Sequence, residues 1–151
     1  MKLAEALIIR ADLQKKIAQI KNRMLLNAKI QDGEEAAESI TDLLTEFNDA
    51  NSALESLVKR INKTNASVPY IDGKIIDAIV ERDCLSAKIK AYRELYEAAI
   101  GKREIFIRTE IKYVRCLDLK ELQQRIDSLS KDYRERDIEI QKVNWHTELA
   151  D

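Results

Sequence analysis

Three glycines and a single proline in a chain of 151 residues leave too few turn positions for a fold of many short strands. The polypeptide must spend its length in a few long elements, and the spacing of apolar side chains says which kind. Leu3, Ala6, Leu13, Ile17, Ile20 and Met24 recur at helical spacing and predict a helix over residues 3–27. A turn is expected around Gly33, whose backbone is permissive. The spacing then resumes through Ile40, Leu43, Leu44, Phe47, Leu54, Leu57, Val58 and Ile61 to Asn65. Two helices linked by so short a segment are expected to run antiparallel, because neither can bury its apolar stripe alone.

Pro69 cannot continue the second helix and marks a boundary over residues 64–73. A third helix is expected after Gly73, with Ile75, Ala78, Arg82, Leu85, Ile89, Tyr92, Tyr96 and Ala99 along its seam and Gly101 as its stop. A fourth starts behind Asp118, an N-cap residue with Glu121 three positions on, as in a capping box. Between these helices Ile105, Ile107, Thr109, Ile111 and Tyr113 alternate with Arg108, Glu110 and Lys112, a period of two that predicts an extended strand over 104–116. A lone strand leaves backbone groups unpaired, so it needs a partner, either residues 67–71 or a second chain. Ile105, Ile107, Ile111 and Tyr113 are therefore the candidates for an assembly element. The expected fold is mainly α, one domain over 1–151. Its four long helices form two antiparallel helical hairpins with coiled-coil-like seams, and a small β element lies near 104–116.

The two hairpins resemble each other. Ala6, Arg10, Leu13, Lys16 and Ile17 have the spacing of Ala78, Arg82, Leu85, Lys88 and Ile89, a shift of 72. Ile40, Leu43, Phe47, Ile61, Lys63 and Asn65 match Leu119, Leu122, Ile126, Ile140, Lys142 and Asn144, a shift of 79. Periodicity alone does not require the matched arginine or the matched asparagine. An internal repeat is expected, with halves 1–66 and 73–149. An arginine on a buried seam must be compensated. Antiparallel pairing about Gly33 brings Arg10 opposite Glu55, and the equivalent geometry brings Arg82 toward Glu135 or Asp137. With Asn65 and Asn144 these residues form the candidate polar seam.

Charge excludes one class of partner. Lys and Arg number 26 against 27 Asp and Glu, interleaved along the chain, so no net basic face is expected for a nucleic acid. No apolar run is long enough to span a bilayer, and Glu5 interrupts the first apolar stretch, which argues against a secretory core and for a cytoplasmic protein. Cys84 and Cys116 are far apart and read as reduced thiols, and the single His146 has no ligand spacing around it. No catalytic, cofactor-binding or metal-binding set stands out. Trp145 is expected to pack onto the end of the helices and tie down the terminus.

The opening Met1, Lys2, Leu3, Ala4, Glu5, Ala6, Leu7, the segments Arg10 to Gln14 and Arg60 to Asn65, Arg82 with Asp83, Ser86, and the ending Asn144, Trp145, His146, Thr147, Glu148, Leu149 resemble a family of small bacterial proteins often labelled septicolysin-like. That resemblance implies a membrane-acting, lytic role and brings no catalytic residue with it. The residues themselves favour a non-enzymatic helical protein that self-associates as a homo-oligomer. A membrane-acting protein of the resembled family is the alternative, as is a ligand or enzymatic site at the polar seam.

Overall fold

A computed structural model describes residues 1–71, 73–101 and 114–151. Four helices account for most of them: α1 over Leu3–Leu26, α2 over Ile40–Ser67, α3 over Ile75–Ile100 and α4 over Leu119–His146. Two very short strands, β1 at Pro69–Tyr70 and β2 at Gly73–Lys74, pair with each other between α2 and α3. Part of the segment expected to partner a distant strand is thus paired locally. The strand expected over 104–116, with Ile105, Ile107, Ile111 and Tyr113, lies outside the described residues except for 114–116, which belong to no regular element.

Each helix border has a local cause. The Glu5 carboxylate accepts the Lys2 backbone N–H at 2.7 Å, and the Asp77 carboxylate accepts that of Lys74 at 3.1 Å, so α1 and α3 begin alike. Ser39 Oγ accepts the Asp42 N–H at 3.3 Å to open α2. Asp118 Oδ1 accepts the N–H groups of Lys120 and Glu121 at 2.7 and 3.1 Å to open α4. Gly101, at a φ of 49°, ends α3, its N–H returning to the Glu97 carbonyl.

The chain divides into two compact units, residues 1–69 with 142–151 and residues 70–141, the boundary falling within α4. In the first, α1 and α2 pack along their lengths. Leu3 and Ala6 at the start of α1 meet Leu57 and Ile61 near the end of α2, while Ile20 meets Leu43 and Ala50 at the opposite ends. The pair is therefore antiparallel, an arrangement set by where the apolar residues lie. In the second unit Arg82 and Glu81 on α3 pair with Asp137 and Arg136 on α4. The largest fully buried side chains are few: Leu3, Ile20, Ile61, Thr64, Ile75 and Ile140.

The first unit is completed by the chain end. Residues 147–149 lie antiparallel to residues 1–3: the Leu3 N–H donates to the Thr147 carbonyl at 2.9 Å and the Leu149 N–H to the Met1 carbonyl at 2.9 Å. Leu149 is buried with Leu3, Ala6, Leu57 and Ile61. Trp145 is 53% exposed, against the expectation that its ring would fasten this terminus. The anchor is Leu149, because the turn of chain after α4 points that side chain, and not the indole, at the core.

Truncating Leu149 to alanine is expected to cost about 2–4 kcal/mol, the usual loss for a buried leucine. Urea denaturation followed by circular dichroism measures it, with Trp145→Phe as a control expected to change little. Glu148 pairs with Lys2 at 2.6 Å and with the Met1 ammonium at 3.1 Å. Hydrogen bonds from Lys2 and then from that ammonium hold its carboxyl below the ordinary value. A depressed carboxyl stabilises the fold above its unfolded pKa, and that contribution is lost as pH falls through the folded value. The Leu3 and Leu149 amide resonances should therefore move together in an acid titration below the ordinary glutamate range, and Glu148→Gln should abolish that step.

Candidate functional site

The seam arginines were the sequence's best candidates for a polar site, and they have different fates. Arg82 is half-buried on α3. Its Nη1 donates to Asp137 Oδ1 at 3.1 Å, and its Nε and Nη2 donate to Asp83 Oδ1 at 3.0 and 2.8 Å. Burial works against its charge, but the hydrogen bonds to Asp83 and then Asp137 outweigh it and hold the guanidinium above its ordinary pKa. Glu135 takes no part: it is exposed and pairs with Lys131 one turn earlier, at 3.7 Å. Arg82 is thus neutralised by two carboxylates, which makes it a cross-link within the unit.

Arg10 does not meet Glu55. Glu55 pairs with Lys59 at 2.5 Å along the exposed face of α2, and Arg10 forms no salt bridge among the described residues. Its Nε is buried without a hydrogen-bond partner while the residue as a whole stays partly exposed. The register of the α1–α2 hairpin is fixed instead by Arg23, near the end of α1. Its Nε donates to both carboxylate oxygens of Glu38 at 3.0 and 3.1 Å, and its Nη1 reaches Glu46 on α2 at 3.4 Å. The hydrogen bond from Arg23 holds the Glu38 carboxyl below its usual range. Asn27 adds to this closure: its Nδ2 donates to the Arg23 carbonyl and its Oδ1 accepts the Glu38 N–H. Sequence reasoning passed over Arg23 because its partner lies in the connection, where periodicity gives no register.

Asn65 is half-buried on α2, and Asn144 is 3% exposed in the last turn of α4, its Oδ1 without a hydrogen-bond partner. Arg10, Glu55, Asn65 and Asn144 belong to the first unit; Arg82, Glu135 and Asp137 belong to the second.

The second unit also carries a feature that the seams do not explain. Ile76, Val80, Cys84, Ala87, Ala91, Leu95 and Ala98 are all exposed on α3. At about 100° per residue they form one stripe, on the side of the helix away from Ile75, Ala78, Arg82, Leu85 and Ile89. Ile76, Ala87 and Ala98 repeat at eleven residues, the spacing that keeps a stripe on one face of a nearly straight helix. The stripe is about 33 Å long at 1.5 Å per residue. Among the described residues no helix is long and apolar enough to cross a membrane.

A family model covers residues 10–149, and its description is a family of unknown function (DUF6847). The chain belongs to that family. It is also similar to a solved structure, described as a functionally unknown conserved protein from Corynebacterium diphtheriae, with 35% identity, a TM-score of 0.89 and 99% of each chain covered. No curated protein matches the chain.

These findings overturn the septicolysin-like resemblance, since both the family and the solved relative are described only as of unknown function. The motifs that suggested it have a structural explanation. Lys2, Leu3 and Ala6, the segment 60–65 and the ending 144–149 meet in one place. There Arg60 Nε donates to the Ala150 carbonyl at 3.0 Å, Thr64 Oγ1 accepts the Ala150 N–H at 2.9 Å, and Lys63 reaches the Asp151 backbone oxygen at 2.7 Å. They hold the chain end on the first hairpin.

A double-mutant cycle between Arg82 and Asp137 should give a coupling of about 0.5–1 kcal/mol, as for a partly exposed pair. Arg82→Met should therefore be tolerated better than Asp137→Leu, which leaves the guanidinium with Asp83 alone. Chemical denaturation of the four variants measures both.

Proposed function

We propose that this chain is a non-enzymatic, cytoplasmic protein that works as an assembly of two copies joined through the exposed face of α3. The observation that carries the reading is the mostly apolar stripe from Ile76 to Ala98, which is long and turned away from the chain's own core. Isolated exposed apolar residues are ordinary on a protein surface, but a stripe along six turns of one helix is the kind of surface a partner covers.

A second copy of the same chain fits it by symmetry. In an antiparallel twofold pairing centred near Ala87, Val80 meets the other copy's Leu95 and Ile76 meets its Ala98. The small Cys84, Ala87 and Ala91 in the middle let the two backbones approach. On one flank Asp83 then lies near the other copy's Lys90. Cytoplasmic placement rests on Cys84 and Cys116, both free and exposed, a state that reducing surroundings preserve.

The same reading extends to construction, as two copies of one helical hairpin. It is supported by α2 and α4, each 28 residues long and displaced by 79. It is supported too by the matching starts of α1 and α3, displaced by 72, and by the paired burial of Leu3 with Ile75, Ala6 with Ala78 and Ile61 with Ile140.

Light scattering behind size-exclusion chromatography tests the assembly. The expected mass is twice 17.4 kDa over a wide concentration range. Val80→Glu with Leu95→Glu should convert it to the single-chain mass with an unchanged helical spectrum. A single-chain mass for the unaltered protein at every concentration, or a dimer indifferent to both charges, overturns the reading.

A further inference from the structure

Beside the stripe on α3, and still within the second unit, α3 and α4 border an open groove of about 700 Å³. That is within the range of small-molecule sites, about 300–1,000 Å³. Its apolar part is the buried Ile89 and the half-buried Tyr133. Lys90, Arg93 and Arg134 stand around it against two carboxylates, Glu94 and Glu97. Lys90 leans on Glu94 at 3.9 Å. Arg93 and Arg134 form no salt bridge among the described residues. Arg23, Arg60, Arg82, Arg125 and Arg136 each meet a carboxylate, so these two guanidiniums at the groove are among those left without one. A further observation is independent of charge: Ser130 Oγ, in the groove wall, is buried without a hydrogen-bond partner. A buried hydroxyl left unpaired costs free energy that a bound polar atom would recover.

We propose that this groove binds a small amphipathic organic anion. Its apolar body lies on Ile89 and Tyr133, and its anionic head, a carboxylate or a phosphate, is taken by Arg93 and Arg134, with Ser130 supplying a hydrogen bond. Two guanidiniums suit either head, because their planar forks match both. The excess of cations at the rim disfavours an amine of the same length. The site is distinct from the polar seam, whose Arg82 is already neutralised, and it does not depend on self-association, since the groove and the apolar stripe occupy different faces of α3.

Titration of the isotopically labelled full chain with octanoate and, separately, octyl phosphate tests it, with backbone amide shifts as the readout and octylamine and octanol as controls. Saturable shifts confined to residues 86–97 and 130–134 are expected with one or both anions, and which anion binds more tightly identifies the head group. Arg93→Gln with Arg134→Gln should weaken binding at least about ten-fold while leaving the thermal midpoint in place. Shifts centred instead on Ile76, Val80 and Leu95, equal binding of octylamine or octanol, an unchanged affinity in the double variant, or no saturation by either anion up to about 10 mM would each overturn the proposal.

Discussion

The first hairpin depends on the closure of the chain end against its beginning. Two α-helices joined by a connection can slide and splay, and α1 presents only a narrow apolar stripe to α2. Leu149 caps that stripe where Leu3, Ala6, Leu57 and Ile61 converge, and the short antiparallel bridge between residues 1–3 and 147–149 satisfies backbone groups at the open start of α1. Arg60, Lys63 and Thr64 hold the last residues from α2. At the other end of the hairpin, Arg23 with Glu38 and Glu46 closes the connection. One end is closed by burial and backbone pairing, the other by a charge network, and between them lie the small contacts of Ile20, Leu43 and Ala50.

The arginines show how one residue type at equivalent places acquires different roles. Arg82 is held between α3 and α4 by Asp137, with Asp83 beside it, whereas Arg10 at the matching seam position has no such partner. The difference follows from the carboxylates within reach. Glu55 faces solvent one turn from Lys59 and is satisfied there, so nothing draws it to the seam. In the second unit, Arg93 and Arg134 stand beside a buried serine hydroxyl and form no salt bridge among the described residues.

Much of the secondary structure was legible from residue spacing. Gly101, Asp118 and the apolar period placed the helix borders within a residue or two, since a cap or a left-handed glycine acts locally. The pairing of β1 with β2 was not, because two residues per strand carry no period. The burial of Leu149 and exposure of Trp145 were not legible either. Side chains beyond a helix end have no fixed face, and only the direction of the chain decides which one meets the core. The apolar stripe of α3 was hidden because alanines on a solvent face read equally well as plain helix formers.

What the sequence by itself determined is the set of four helices and the residues they bury, because hydrogen bonding and helical period are properties of neighbouring residues. Only the tertiary structure decided which charges pair, where the chain end docks and which faces stay uncovered. Those outcomes depend on distances between segments far apart in the chain, and a long arginine or lysine can reach any of several carboxylates until packing fixes one.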